Sequence, residues 1–510
     1  MKKIVIGLYI LSALSFSHIV SAKNGDNNLY YRDHGHREDN HRNRRHRLNK
    51  ILKRIIKSNN LTGDPMLNRK IPDIESPKAQ LGMDLFFSKT LGGDFDSACV
   101  TCHHPALGGG DDLSLPIGVE ADDPDLLGPG RTNDIAFNNP EGGPPVPRNA
   151  PTTFNLAAWD KFQFHDGRVE SLDKTPDANG SGSSGIRTPD SALGVADPLA
   201  GNNLIQAQAR FPVTSNEEMK NFNHTGYNNQ AIRELLAGRF GGYGDEADEL
   251  TDLDHWLEKF RMALSSPEGS AEELITEQNI SMLIAEYERS QVFVNSPWKR
   301  YVQGEKRAIS RAAKKGAVLF YTSSSEGGAN CSSCHSGDFF TDESFHNLAM
   351  PQIGPGKGDG KDGSKDFGRA RETGLKADKF AFRTPSLLNV AVTGPWSHAG
   401  SYTTLKAVVK HHLNAHRAIH NYDYDQLLQY DIRNLENMSE NTHEALYASN
   451  FALERIRLNN RKVYFLVEFL KTLTDPCTTD RKCLGQWIPD KRDDPNGHQL
   501  NAVDQFGNQL

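Results

Sequence analysis

The chain has 510 residues, a net charge of -7 and 37% hydrophobic residues, which is enough for two globular domains with cores of their own. Past the N-terminus no stretch stays apolar for the roughly 18 residues a helical membrane span needs, so no transmembrane helix is expected there. No nucleic-acid partner is expected.

Met1-Lys2-Lys3, an apolar run from Ile4 to Val20 and then Val20-Ser21-Ala22 read as a cleaved secretory signal over residues 1–22, which implies a periplasmic protein. No cysteine flanks the cut, so no lipid anchor is expected. A basic arm follows over residues 23–71, with four His and ten Lys or Arg between Tyr30 and Asn59. Leu48, Ile51, Leu52, Ile55 and Ile56 recur at helical spacing, and its second half is predicted to be an amphipathic helix. That helix either docks by its apolar stripe on the body of the protein, or offers a positive handle to an acidic partner or a membrane surface.

Cys99-Val100-Thr101-Cys102-His103 has the form of a c-type haem attachment site, and Cys331-Ser332-Ser333-Cys334-His335 repeats it far downstream. Two thiols three residues apart on a helical turn can form thioethers to one porphyrin edge, and the next residue places an imidazole under the iron. Two such knuckles brought together also make a zinc site. The trailing His in both copies, which a four-thiolate site does not need, favours two haems.

Between the motifs, Gly108-Gly109-Gly110-Asp111-Asp112 and the stretch Gly142 to Pro147 are loop-forming, and Asn179 to Gly185 is a Gly/Ser-rich surface excursion. Ser215-Asn216-Glu217-Glu218 reads as a capping box with Glu218 reaching back to the Ser215 amide, and Ser270-Ala271-Glu272-Glu273 as another. Ile280, Leu283, Ile284 and Tyr287 carry a long helix into a hinge at Asn295-Ser296-Pro297. A short helix, Ala312 to Tyr321, precedes the second motif. The Gly, Lys and Asp tract from Gly354 to Gly363 reads as a mobile loop and lacks the ligand pattern of an EF-hand.

Thr403 and Thr404 are good helix caps, and Leu405, Val408, Val409 and His412 follow at i, i+3, i+4 and i+7. His412 therefore faces the core, where a haem with a vacant sixth position is expected. His411 turns off the stripe, and His416, one turn on, competes for the role. Val463, Leu466, Val467 and Leu470 make a last amphipathic helix, which Asp475-Pro476 stops. The remaining cysteines, Cys477 and Cys483, bracket a short polar loop and suit a disulfide in an oxidising compartment, worth about 2 kcal/mol. The tail after Trp487 is expected to be disordered.

Taken in order, further blocks resemble the bacterial di-haem cytochrome c peroxidases, a family that includes the MauG-type enzymes. They are Arg148-Asn149-Ala150-Pro151-Thr152, Phe164-His165-Asp166-Gly167-Arg168, Gln208 to Met219, Arg289 to Tyr301, Phe345-His346-Asn347, Phe382 to Leu387, Thr393-Gly394-Pro395-Trp396-Ser397-His398 and Phe469 to Pro476. The resemblance implies a mostly α fold of two cytochrome c-like haem domains with loop-rich connections. The domains would span 72–295 and 296–476, with the last helix packing back on the first domain and a tail over 477–510. It also implies a calcium ion held by the Asn149 side chain and the carbonyls of Thr393 and Pro395. Gln208, Pro212 and Glu218 match the pocket over the first haem, where Glu218 would move a proton between peroxide oxygens.

Three positions depart from the family pattern. Val119 falls near the loop histidine that blocks the first haem in peroxidases needing reductive activation. His165 replaces the Trp between the haems, leaving Trp159 or Trp396 as alternative relays. His412 stands where the second haem's sixth ligand is Met in peroxidases and Tyr in MauG-type enzymes. The implied activity is reduction of hydrogen peroxide with electrons from a small cytochrome c or cupredoxin. The alternatives are a MauG-type oxidase that modifies a partner protein and a non-catalytic electron-transfer cytochrome. Family members commonly form homodimers.

Overall fold

The computed structural model describes residues 47–133, 146–429, 432, 435–449, 453–490 and 494–510. The expected signal segment, the arm up to residue 46 and most of the Gly142 to Pro147 loop lie outside these residues. Asn49–Leu510 forms one unit, separate from Met1–Leu48, and holds both hydrophobic cores.

Each core is built on one pair of helices closed at a glycine. Ser76 caps the helix Pro77–Phe87, accepting from the Ala79 amide, with Pro77 at the first helical position where a missing N–H costs nothing. This helix crosses Glu277–Ser290 so tightly that a Cβ on Gly82 would sit 2.0 Å from the Leu283 carbonyl oxygen. Leu81, Leu85, Phe86, Leu283 and Tyr287 fill the seam. In the second core Arg311–Tyr321 crosses Asn460–Leu470, and a Cβ on Gly316 would fall 1.8 Å from the Phe465 carbonyl oxygen. Trp298, Phe320, Leu466 and Phe469 fill that seam, and Leu52 is buried there with Ile55 and Ile56 packed beside it. Residues 49–58 are helical and contribute that apolar stripe.

Between the cores, Asn155 exchanges two hydrogen bonds with the Phe293 backbone, at 2.8 and 3.2 Å, and Asn389 Nδ2 donates to the same carbonyl at 2.9 Å. These amides satisfy a buried backbone that has left its helix. Strand structure is slight. Phe162–Gln163, Val169–Ser171 and Ile186–Arg187 form an antiparallel sheet with Phe162 opposite Glu170, and Phe345–His346 pairs with Phe382–Arg383. Among the described residues no helix is long and apolar enough to cross a membrane.

Three expectations are corrected. The described residues past Trp487 are folded: the Leu500 amide donates to the Phe87 carbonyl and the Leu127 amide to the Val503 carbonyl, both at 2.9 Å. The last amphipathic helix belongs to the second core, and Leu484, Trp487, Leu500 and Ala502 make the return to the first. The Gly354 to Gly363 tract is a closed hairpin, with Asp359 and Lys365 exchanging backbone bonds at 3.1 and 3.0 Å. Cys477 and Cys483 form a disulfide.

One buried ion network ties distant segments together. The Arg148 guanidinium forks onto Asp366 at 2.6 and 2.8 Å and reaches Asp166 at 2.5 Å. The cation holds both carboxyls well below the usual range despite their burial. Replacing Arg148 with Ala strands two buried carboxylates and should cost about 3–5 kcal/mol in urea unfolding. Because both folded pKa values are depressed, this stabilisation is full above the ordinary aspartate pKa of about 4 and drains away as pH falls below it. Wild type should therefore lose stability more steeply than Arg148→Ala in that acid window, and parallel pH curves would contradict the assignment.

Candidate functional site

Both cysteine motifs sit on single turns at the end of an extended approach. Ala98 is extended and its amide donates to Thr101 Oγ1 at 2.9 Å, which starts the turn Cys99–Cys102 and leaves His103 just beyond it. Asn330, left-handed at φ 55, starts the turn Cys331–Ser333, and the His335 amide donates back to the Cys331 carbonyl at 3.0 Å. All four thiols are free and, with His103 and His335, line one cavity of 460 Å³. Burial pushes the Cys99 and Cys102 thiols up and that of Cys331 up to about 12.

The histidines are oriented by their outer nitrogens. His103 Nδ1 lies 3.2 Å from the Gly109 carbonyl, His335 Nδ1 lies 3.0 Å from that of Phe340, and His412 Nδ1 lies 2.9 Å from that of Val408. A carbonyl only accepts, so each Nδ1 carries the proton and each Nε2 offers a lone pair. Desolvation keeps these rings neutral, lowering His103 and His412 and bringing His335 to about 4.

Thr404 caps the helix Leu405–Leu413, and its stripe delivers His412 to the cavity. His412 lies deep among protein atoms, yet its surface is accessible because the ring borders the cavity. The His335 and His412 ring centres are 6.3 Å apart. Two imidazoles bound at about 2 Å to a shared ion have ring centres roughly 6 Å apart, so the spacing fits one iron between them. His411 cannot compete, since Tyr402 and the Leu348 carbonyl occupy both its nitrogens. His416 is exposed, outside the cavity lining.

Gln208, Pro212 and Glu218 line the cavity. The expected capping box at Ser215 is absent. Ser215 Oγ donates to Glu217 Oε2 at 3.0 Å, and Asn216–Lys220 is a single π turn. Gly118 packs behind it, where a Cβ would lie 2.4 Å from both the Glu217 and Glu218 carbonyl oxygens. The next residue, Val119, is 1% exposed and donates its amide to the Glu217 carbonyl at 3.4 Å. Glu218 is thereby free of the Ser215 amide. Burial raises its pKa, and Arg168, Lys357 and Arg148 oppose that rise while Glu217 adds to it.

Lys357 escaped the sequence reading because its Gly-rich surroundings read as a mobile loop. The hairpin at Asp359 and Lys365 instead carries it to the cavity wall. His398 was also missed. It stacks on Phe382 at 3.6 Å and 7°, and among the described residues neither buried ring nitrogen has a hydrogen-bond partner, so both can meet an occupant of the cavity. The hairpin loop after Phe162–Gln163 holds His165, whose Nε2 lies 3.0 Å from the Asn149 carbonyl, and Arg168, stacked 3.5 Å over Phe164. Trp159 and Trp396 both line the cavity. The Arg383 guanidinium covers Trp159 at 3.5 Å, and Trp396 Nε1 donates to the Val390 carbonyl at 3.0 Å.

The donor set fits two c-type haems: paired thiols, an oriented imidazole at each pair and a second imidazole at one of them. A four-thiolate zinc site does not form. Among the described residues the metal-type cluster is Cys334, Asp342 and His346, within 4.8 Å of one another, and its histidine is already tied to Asp342 at 2.8 Å.

Residues 76–307 match the family model described as di-haem cytochrome c peroxidase. The methylamine utilization protein MauG of Methylorubrum extorquens is 28% identical over 338 residues, covering 66% of this chain and 68% of its own. The cytochrome c551 peroxidase of Pseudomonas aeruginosa is 24% identical over 337 residues, covering 66% and 71%. The solved diheme peroxidase BthA from Burkholderia thailandensis superposes with a TM-score of 0.50 at 19% identity, covering 82% of this chain and 90% of that one, and shares the fold.

With haem attached at both motifs, His412→Gly should turn one low-spin centre high-spin in the visible and EPR spectra, and added imidazole should restore it. An unchanged spectrum would place the sixth ligand elsewhere. Over residues 76–307 this chain matches the di-haem cytochrome c peroxidase family, and over 66% of its length it is similar to relatives named for peroxidase and for MauG alike.

Proposed function

We propose that the protein is an exported periplasmic peroxidase that reduces hydrogen peroxide at the Cys99, Cys102 and His103 site. Electrons from a small cytochrome c or cupredoxin enter through the site of Cys331, Cys334, His335 and His412. The observation that carries this is an asymmetry. His335 has a second imidazole facing it at 6.3 Å, whereas the loop beside Glu218 carries at Val119 a buried side chain that has no ligating atom and stays out of the cavity lining. That leaves one side of the first haem open to a small oxidant.

Bound haem supplies the redox chemistry that breaks the O–O bond. Glu218 takes a proton from one peroxide oxygen and returns it to the other, so that the departing oxygen leaves as water. Arg168 and Lys357 counter the cost of ionising Glu218 in a desolvated wall, which keeps it able to accept. Gln208 and Pro212 restrict the space above the first haem. His165 and His398 stand in the same cavity as closed-shell imidazoles in place of an indole. Of the two indoles nearby, Trp159 is the harder to oxidise, because the cation over its face opposes a positive charge on the ring.

Asn149, Thr393 and Pro395, which line the same cavity, would hold a calcium ion. Asn149 Nδ2 donates to the Leu113 carbonyl at 2.9 Å, which commits the amide nitrogen and leaves Oδ1 for a cation.

His412 also favours a second reading, a MauG-type oxidase acting on a partner protein. Two imidazoles hold ferric iron better than an imidazole and a thioether, so this centre would accept electrons from an ordinary cytochrome c less readily than a His/Met centre does. Offering peroxide with reduced cytochrome c separates the two: rapid oxidation of the cytochrome supports the peroxidase, and negligible turnover supports the oxidase.

Glu218→Gln should slow the reaction with peroxide by about 10²-fold or more. Since burial raises the Glu218 pKa, the acid limb of the wild-type rate profile should lie above the ordinary glutamate value of about 4.3 and vanish in the variant. An unchanged rate would remove Glu218 from the reaction.

A further inference from the structure

The helix that presents His412 also carries His411, which is buried and has a protein partner at each ring nitrogen. His411 Nε2 lies 2.9 Å from the Leu348 carbonyl, an oxygen that can only accept, so that nitrogen holds the ring proton. Its Nδ1 is then a lone pair, and the Tyr402 hydroxyl donates to it at 2.8 Å. Tyr402 is 3% exposed. A buried phenol hydrogen-bonded to an imidazole lone pair has a place to send its proton when it loses an electron.

From Tyr402 a line of rings runs outward. Tyr402 and Tyr422 are 5.7 Å apart, edge to face, and Tyr422 and Tyr424 are 5.1 Å apart in the same manner. Inward, His411 is 5.4 Å from Tyr402 and 6.4 Å from His412. The outermost ring, Tyr424, is 44% exposed. Edge-to-face packing accounts for aromatic rings at these places, and phenylalanine would pack as well. Packing does not account for a phenol at every step or for the base beside the innermost one. Tyr422 donates its hydroxyl to the Ser401 carbonyl, which takes up no proton, so Tyr422 bridges its neighbours and does not store an oxidising equivalent.

We propose that Tyr402, Tyr422 and Tyr424 form an oxidation path from the second haem site to the surface, where phenolic donors are oxidised at Tyr424. The path rests on the peroxide reading above, and hydrogen peroxide is its oxidant. Peroxide takes up two electrons and two protons to give two waters, and two phenols each supply one electron and one proton. Tyr402 sends its electron inward and its proton along the existing hydrogen bond to His411. An electron from Tyr424, through Tyr422, and return of that proton restore Tyr402. Tyr424 releases its own proton to solvent, and the phenoxyl left there takes a hydrogen atom from the donor.

The test uses full-length holoprotein as wild type, Tyr402→Phe and Tyr424→Phe, mixed with hydrogen peroxide. The Soret band, freeze-quench EPR and oxidation of guaiacol are followed together. Wild type should show a tyrosyl radical and oxidise guaiacol. Tyr424→Phe, which removes only an exposed hydroxyl, should keep the Soret response and a buried radical while losing most guaiacol oxidation. Tyr402→Phe should keep the Soret response and lose both. Unchanged radical and guaiacol oxidation in the two variants would overturn the path and leave the peroxide reading standing. A wild-type Soret band indifferent to peroxide would end both.

Discussion

Which nitrogen of a neutral imidazole offers its lone pair to a metal, and in what direction, is set by the hydrogen bond the other nitrogen makes, and that commitment governs this molecule. His103, His335 and His412 each give up Nδ1 to a main-chain carbonyl, those of Gly109, Phe340 and Val408. Two of these carbonyls belong to irregular chain just after a cysteine motif, and one to the helix turn beneath His412. The loops beside the motifs therefore set ring orientation, and Phe340 in the second of them packs against Phe320 and Phe469 of the helices that cross at Gly316. A backbone shift at Gly109 or Phe340 would turn a ligand out of line without touching a ligand residue.

The difference between the two sites comes from what stands opposite each oriented ring. At the second motif a regular helix supplies another imidazole. At the first, a π turn backed by Gly118 exposes a carboxyl, and Val119 offers nothing to a metal. A lone buried carboxyl would stay protonated, and the cations Arg148, Arg168 and Lys357, drawn from both halves of the chain, oppose that. Arg148 also clamps Asp166 and Asp366. The charge balance at Glu218 and the joining of the two halves thus share a residue.

Features fixed by a few neighbouring residues were legible in the sequence. The cysteine motifs, the Thr404 cap with the stripe that aims His412, and the capping box at Ser270 all lie within one or two helical turns. Those settled by distant partners were not. Ser215 and Glu218 have capping-box spacing, but Gly118, far back in the chain, packs behind them and a π turn forms instead. Lys357 lies in a tract whose composition suggests mobility, and only the pairing of Asp359 with Lys365 turns it to the cavity. The tail past Trp487 is polar by composition yet held by backbone bonds to Phe87 and Leu127 that no local pattern encodes. The family resemblance supplied the order of blocks and the identity of Glu218, which periodicity alone assigned to a cap.

The central claim is that one iron is left accessible while the other is closed by His335 and His412. A resting-state EPR spectrum of the ferric holoprotein tests it most directly. One high-spin and one low-spin signal in equal amounts, the latter of bis-imidazole type, is the expected result. Two low-spin centres, or none with bis-imidazole character, would contradict it.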